Sequence, residues 1–285
     1  MSGLCGAAPV LCDVAAGMRA AGGSLSGAVD EIVRSAPVWL LGFWAAAVAA
    51  MLASFTGVLV DRVPRAAGWY GDPDAAAALT GPSACEGCGV RISPLALVPV
   101  VGWLVVGGRC GSCDGRVPAI YPTVEGAGAL VALSLVMLLP GPSALWGLLL
   151  FWGLGAAVWF DLRYQEIPDL VTVPLGALGL VQALAVGATA DAVSGCLVAA
   201  GLVWVAFKTF GKREFGVSYG DVALAAAVGA WVGLAGVLPF LFVSSVAFIA
   251  HAAPVKARDG EGVPMGPALC VGAAVVWTVT AVAGS

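Results

Sequence analysis

Four cysteines and two aspartates carry the residue types and spacings in this chain that could do chemistry. The cysteines are Cys85, Cys88, Cys110 and Cys113, in a C-x2-C-x21-C-x2-C pattern. Two residues between cysteines let a tight turn aim both sulfurs at one ion. Two such knuckles complete a tetrahedral thiolate shell with bonds of about 2.3 Å. That shell has no open position, so the expected metal is a structural zinc rather than a catalytic one. Disulfides are the competing reading, and a reducing compartment disfavours them. A redox pair would not explain two copies of the motif. The scattered Cys5, Cys12, Cys196 and Cys270 carry no pattern, and Cys196 and Cys270 read as small apolar packing residues.

Asp161 closes the apolar run Val158-Trp159-Phe160, and Asp221 follows Ser218-Tyr219-Gly220 at the start of another. Ionisable residues at the edge of a membrane span are costly and are functional candidates by default. Asp221 also fits a capping role, because a carboxylate at a helix start meets free N–H groups and the favourable end of the dipole. Asp169 suits a cap on the following helix in the same way. Asp161 does not, since the dipole at a helix C-terminus disfavours an anion. Two carboxylates about 4 Å apart at an effective dielectric of about 20 repel by about 4 kcal/mol. Such a pair keeps one proton near neutral pH. One member can then activate water while the other donates a proton, which is acid–base peptide hydrolysis.

Lipid-spanning helices must position these groups. The chain has 285 residues, 60% hydrophobic and 11% charged, with a mean hydropathy of +0.99. Soluble chains carry about 25% charged residues. The net charge of −4 excludes a broad basic nucleic-acid surface. The fold class expected is an all-α polytopic membrane protein of about eight spans, over 38–60, 123–139, 143–160, 170–188, 192–207, 222–235, 236–251 and 267–283. The division of the sixth from the seventh is expected near Gly236. Residues 1–36 read as a loose N-terminal tail without a cleaved signal, 37–60 as the first span, 61–122 as a four-cysteine zinc unit and 123–285 as the membrane core. Eleven of the thirteen Lys and Arg residues fall between odd and even spans. The exceptions are Arg19 and Arg34 in the tail. This partition predicts cytoplasmic placement of those loops, and with them of the zinc unit and both aspartates. Single features have plainer readings. His251 is packing or interfacial, Trp39, Trp44, Trp146, Trp152, Trp159 and Trp231 are belt or packing residues, and Gly126 and Gly128 permit close helix approach.

With these residues in view, the chain resembles the type IV prepilin peptidases, bacterial membrane aspartic proteases of the GxGD type. The segment Asp161 to Pro168-Asp169 is similar to the family's D-x6-P-D element, and Ser218-Tyr219-Gly220-Asp221 to its GxGD element. The stretches 53–64, Tyr121-Pro122-Thr123-Val124-Glu125 and Pro264-Met265-Gly266-Pro267 match further landmarks, as does the cysteine unit. The resemblance implies Asp161 and Asp221 as catalytic residues in the bacterial inner membrane. It implies a prepilin or pseudopilin substrate, cut at the cytoplasmic face between a short basic leader and an apolar helix, for a type IV pilus or a secretion apparatus. It also implies N-methylation of the new terminus with S-adenosylmethionine, whose binding residues no glycine-rich loop marks. Ser218 replaces the first glycine of GxGD, which is a small-for-small change where no positive φ is needed. Ala223 and Gly57 stand where lysine and asparagine are usual, and these departures bear on methylation. The rival function is an ion- or proton-coupled transporter using paired acids, for which Glu125 would be a further buried membrane charge.

Overall fold

A computed structural model describes residues 37–69, 81–85, 87–139, 141–210, 218–252 and 263–284. The tail 1–36 and the loop residues Lys212, Arg213, Lys256 and Arg258 lie outside them. The described chain is helical: α1 Val38–Ala66, a short α2 Val101–Val105, α3 Ile120–Leu138, α4 Pro142–Tyr164, α5 Asp169–Ala185, α6 Thr189–Phe210, α7 Tyr219–Ala252 and α8 Gly266–Ala283. Six of these are long and apolar enough to cross a membrane. At 17 residues, α5 sits at the lower bound for a span.

The helices are turned inside out relative to those of a soluble bundle. On α1, Gly42, Ala50, Ala53, Thr56 and Gly57 face the neighbouring helices, while Trp39, Phe43 and Trp44 are exposed. Lipid tails are as apolar as leucine, so helices associate where small residues let backbones approach. A Cβ on Gly128 of α3 would sit 3.4 Å from Ala49 O and Ala53 Cβ, as expected of a close-approach residue. Gly126 has nothing within 4 Å, so that expectation fails there. The tightest crossing is one the sequence did not single out. Gly195 of α6 and Gly229 of α7 lie backbone to backbone, with no room for a side chain on either.

The helix α7 makes two crossings. Gly233 has φ 65° and ψ 177°, a conformation open in practice only to glycine. Its first arm runs from the Asp161 end to Trp231, which meets Trp277 of α8. Its second arm returns, with Gly236 against Val276 and then Phe240 and Ser244 against Gly272. The first arm is therefore parallel to α8 and the second antiparallel. Eight crossings result, and the expected division near Gly236 is corrected to Gly233. Asp191 selects this glycine, since its Oδ1 accepts from the Leu234 N–H at 3.2 Å and begins the second arm.

Far from the aspartates, three indoles interlock. Trp231 meets Trp146 and Trp277 edge-on, with centroids 6.3 and 6.4 Å apart. Trp231 Nε1–H donates to Leu175 O at 2.8 Å, and Gly147 and Gly179 leave room for the rings. Trp152 instead donates to Thr56 Oγ1 at 2.9 Å, joining α4 to α1. The side chain of His251 is outside the described residues.

Candidate active site

Asp161 stands in the last turn of α4 and is only 3% exposed. The helix ends one turn later because Gln165 adopts a left-handed conformation, its N–H donating to Asp161 O at 2.9 Å. The chain then turns through Ile167 and Pro168 into α5. Ile167 is buried and lies against Gly220, where a Cβ would come within 2.9 Å of Ile167 O. Glycine at 220 is required by this contact and not by a positive φ. The fit seats the start of α7 beside the end of α4.

Asp221 is 1% exposed. Its Oδ2 accepts from the Ser218 N–H at 2.6 Å, and its own N–H points to Ser218 Oγ at 3.4 Å. This reciprocal pairing is a capping box. Ser218, in the place of the family's first glycine, has no positive φ and supplies the cap. Capping nevertheless accounts for only half of the carboxylate, because Asp221 Oδ1 is buried without a partner. Asp169 differs from expectation. It is exposed in the first turn of α5 with no capping hydrogen bond recorded at that helix start, so it acts through the dipole alone.

The two acids converge. Asp221 lies within Coulombic range of Asp161, and the Cys270 thiol lies within range of both. Cys270 is buried and donates to Leu154 O at 3.5 Å, in keeping with a packing role. Asp161 Oδ2 accepts from the Gly266 N–H at 2.8 Å. A Cβ on Gly266 would sit 2.6 Å from that oxygen. The sequence marked 264–267 only as a landmark; a Gly-Pro pair opening an apolar run was the available signal. Thr172 Oγ1 on α5 is a second buried oxygen without a partner, and nothing in the sequence distinguished it.

Beside this end of the bundle, the four cysteine sulfurs all lie within 4.8 Å of one another. Cys85 and Cys113 are 3.8 Å apart, as are Cys88 and Cys110. A tetrahedron with bonds of about 2.3 Å has edges of about 3.8 Å, so the four sulfurs fit one ion. The two knuckles are built alike. Cys85 N–H donates to Val90 O and Gly89 N–H to Cys85 O, while Cys110 N–H donates to Gly115 O and Asp114 N–H to Cys110 O. The N–H groups of Ser112 and Cys113 pull the Cys110 thiol down to about 6. The Gly115 N–H also draws Cys113 down, but the three neighbouring sulfurs outweigh it and push that thiol up to about 12. Four sulfurs so crowded ionise together only around a cation.

Glu125 of α3 is buried, and its Oε2 accepts from the Val100 N–H at 2.6 Å. Val100 has φ 61° and ψ −55°, and Val101 N–H donates to Pro99 O at 2.6 Å. This is a γ-turn, which is strained for a β-branched residue.

Residues 47–139 match the model of the bacterial peptidase A24 N-terminal domain, and residues 148–253 that of the type IV leader peptidase family. A prepilin leader peptidase/N-methyltransferase of Aeromonas hydrophila is 36% identical over 208 residues, covering 68% of this chain and 71% of that protein. Proteins of the same description from Dichelobacter nodosus and Neisseria gonorrhoeae are 33% and 32% identical. They cover 66% and 69% of this chain, and 68% and 70% of their own lengths. No solved structure matches the chain.

Proposed function

We propose, because the chain belongs to the type IV leader peptidase family, that it removes the leader of a prepilin or pseudopilin by aspartyl-activated water at Asp161 and Asp221. The observation that carries this reading is the unpartnered, buried Oδ1 of Asp221 in a site that already holds a second buried carboxylate. A cap alone would not desolvate an oxygen and leave it unmatched. In the mechanism, one carboxylate takes a proton from water as its oxygen attacks the scissile carbonyl carbon. The other gives its proton to the carbonyl oxygen, and the tetrahedral adduct collapses as the leaving nitrogen is protonated. The Gly266 and Ser218 N–H groups hold one oxygen of each acid and fix its orientation. The substrate's apolar helix lies among the spans, with its basic leader at the aspartate end. The partition of Lys and Arg supports a cytoplasmic position for that end.

The metal in the knuckles is a structural zinc on Cys85, Cys88, Cys110 and Cys113, supported by the four-thiolate donor set and its spacing. N-methylation of the new terminus is the second step, with S-adenosylmethionine supplying the methyl group. A cleft of about 390 Å³ beside the knuckles suits that donor. Trp103 offers an aromatic face, and Arg109 and Arg116 offer guanidinium groups to a carboxylate.

The transporter reading draws its support from Glu125 as a free membrane acid. Its Oε2 is taken by Val100, which makes Glu125 a structural anchor. The deciding experiment uses Asp161→Asn and Asp221→Asn in proteoliposomes with a membrane-embedded prepilin. Each variant is expected to fold and to lose at least about 10³-fold in leader removal. Cleavage retained by both would end the proposal.

A further inference from the structure

The cysteine unit has no apolar core. Among its described residues between 81 and 119, only Gly102 and Gly108 are buried. Its large apolar side chains point outward instead. Leu95 is 81% exposed, Val105 78%, Leu104 63% and Val101 56%. They lie on one continuous segment, a 3₁₀ turn Pro94–Leu97 followed by α2. The polar groups Arg91, Arg109, Asp114 and Arg116 belong to the knuckles on either side of that segment in the chain. The unit therefore has an apolar part and a polar, metal-binding part.

The depth of the apolar part is set by a hydrogen bond. Val100, in the middle of the segment, is tied through its N–H to Glu125. Glu125 lies five residues beyond Ile120, the first residue of α3. That is about 7.5 Å along the helix axis, beyond its aspartate-side end. The γ-turn at Val100 is strained, and the buried Glu125 holds it in place. Trp103 Nε1–H donates to Val117 O, drawing α2 toward the chain that leads into α3. Leu95, Val101, Leu104 and Val105 are thus exposed at the level where α3 enters the bilayer.

We infer that the segment Pro94–Val106 is a monotopic wedge, seated in the headgroup and acyl-chain boundary of the leaflet at the aspartate end. The occupant of the apolar surface is phospholipid. The argument is continuity: the surface begins beside a spanning helix, at that helix's own depth, and Ile120 at the start of α3 is itself exposed. Short amphipathic elements lie in this boundary with their apolar faces buried among acyl chains. A cluster of exposed leucines and valines of this kind facing water would be an association surface. The cysteine unit is then an interfacial body rather than a freely solvated one. Its knuckles face the headgroups and water, and its strained loop faces lipid.

The test uses the full, zinc-loaded chain in nanodiscs of phosphatidylethanolamine and phosphatidylglycerol, with a diazirine carried on the acyl chain. After illumination, labelled peptides are mapped by mass spectrometry. The segment 94–106 is expected to label within about threefold of the exposed, lipid-facing positions Val173 and Val181 on α5, and the knuckle around Asp114 at background. Leu104→Glu with Val105→Glu is expected to cut labelling of the segment about tenfold while the zinc content stays unchanged. Labelling confined to the spanning helices would overturn the inference. So would cross-linking of the segment to a second copy of the chain in place of lipid.

Discussion

The Gly266 N–H donates to Asp161 Oδ2 at 2.8 Å, joining the start of α8 to the end of α4. It is a backbone donor aimed at a buried carboxylate, and no side chain fits between them. Gly266→Ala would place a methyl group 2.6 Å from that oxygen. The carboxylate must then move. Displacements of about 1 Å at a reacting group cost about 10²-fold in rate. A loss of at least that size is expected in the turnover number for leader removal, with the melting temperature little changed, measured on purified protein in lipid.

Ser218 tests the capping half of Asp221. Ser218→Ala removes the hydroxyl but keeps the N–H that binds Oδ2. The expected cost is about 1 kcal/mol in stability. Ser218→Gly is expected to cost only a few tenths. Thermal unfolding of the two variants side by side checks the order. Leader removal should survive in both.

Metal removal should act locally. The chain is expected to hold one zinc, and Cys88→Ser to hold less. With only Gly102 and Gly108 buried, the unit has little besides the metal and its knuckles to order it. Chelation is expected to raise proteolysis between residues 81 and 119 while the helical circular dichroism persists. Resistance to proteolysis after the zinc has left would contradict this.

The cleft beside Trp103 separates the two activities. Arg116→Ala lies in the cysteine unit, apart from the aspartates. It is expected to lower methylation of the new terminus about tenfold or more, by loss of a charge-assisted contact. Leader removal in the same assay should stay within about twofold, as for a surface change away from the reacting groups. Equal losses in both would remove the donor assignment.

Much of the site was legible because charge is expensive in a membrane. Asp161 stood out at the wrong end of a helix for a cap, and it is buried as a working acid would be. The cysteine spacing was equally direct, since two knuckles of one shape need only a turn apiece. Other features were hidden for physical reasons. Gly229, Gly233 and Gly236 look alike in sequence, and only the approach of Asp191 selects Gly233 as the reversal. The partner of Glu125 is the N–H of Val100, a backbone atom that residue types do not announce. Asp221 matched a capping pattern, yet the pattern describes one carboxylate oxygen and not the unpaired other.

The three interlocked indoles of Trp146, Trp231 and Trp277 knot α4, α7 and α8 together away from the aspartates. A sheaf tied at one end has a single free mouth. Any parting of these rods to admit a guest must be a swing about that knot, widest beside the two acids. The guest is then gripped at the mouth, where the cut falls, and its remaining length stays outside the tie.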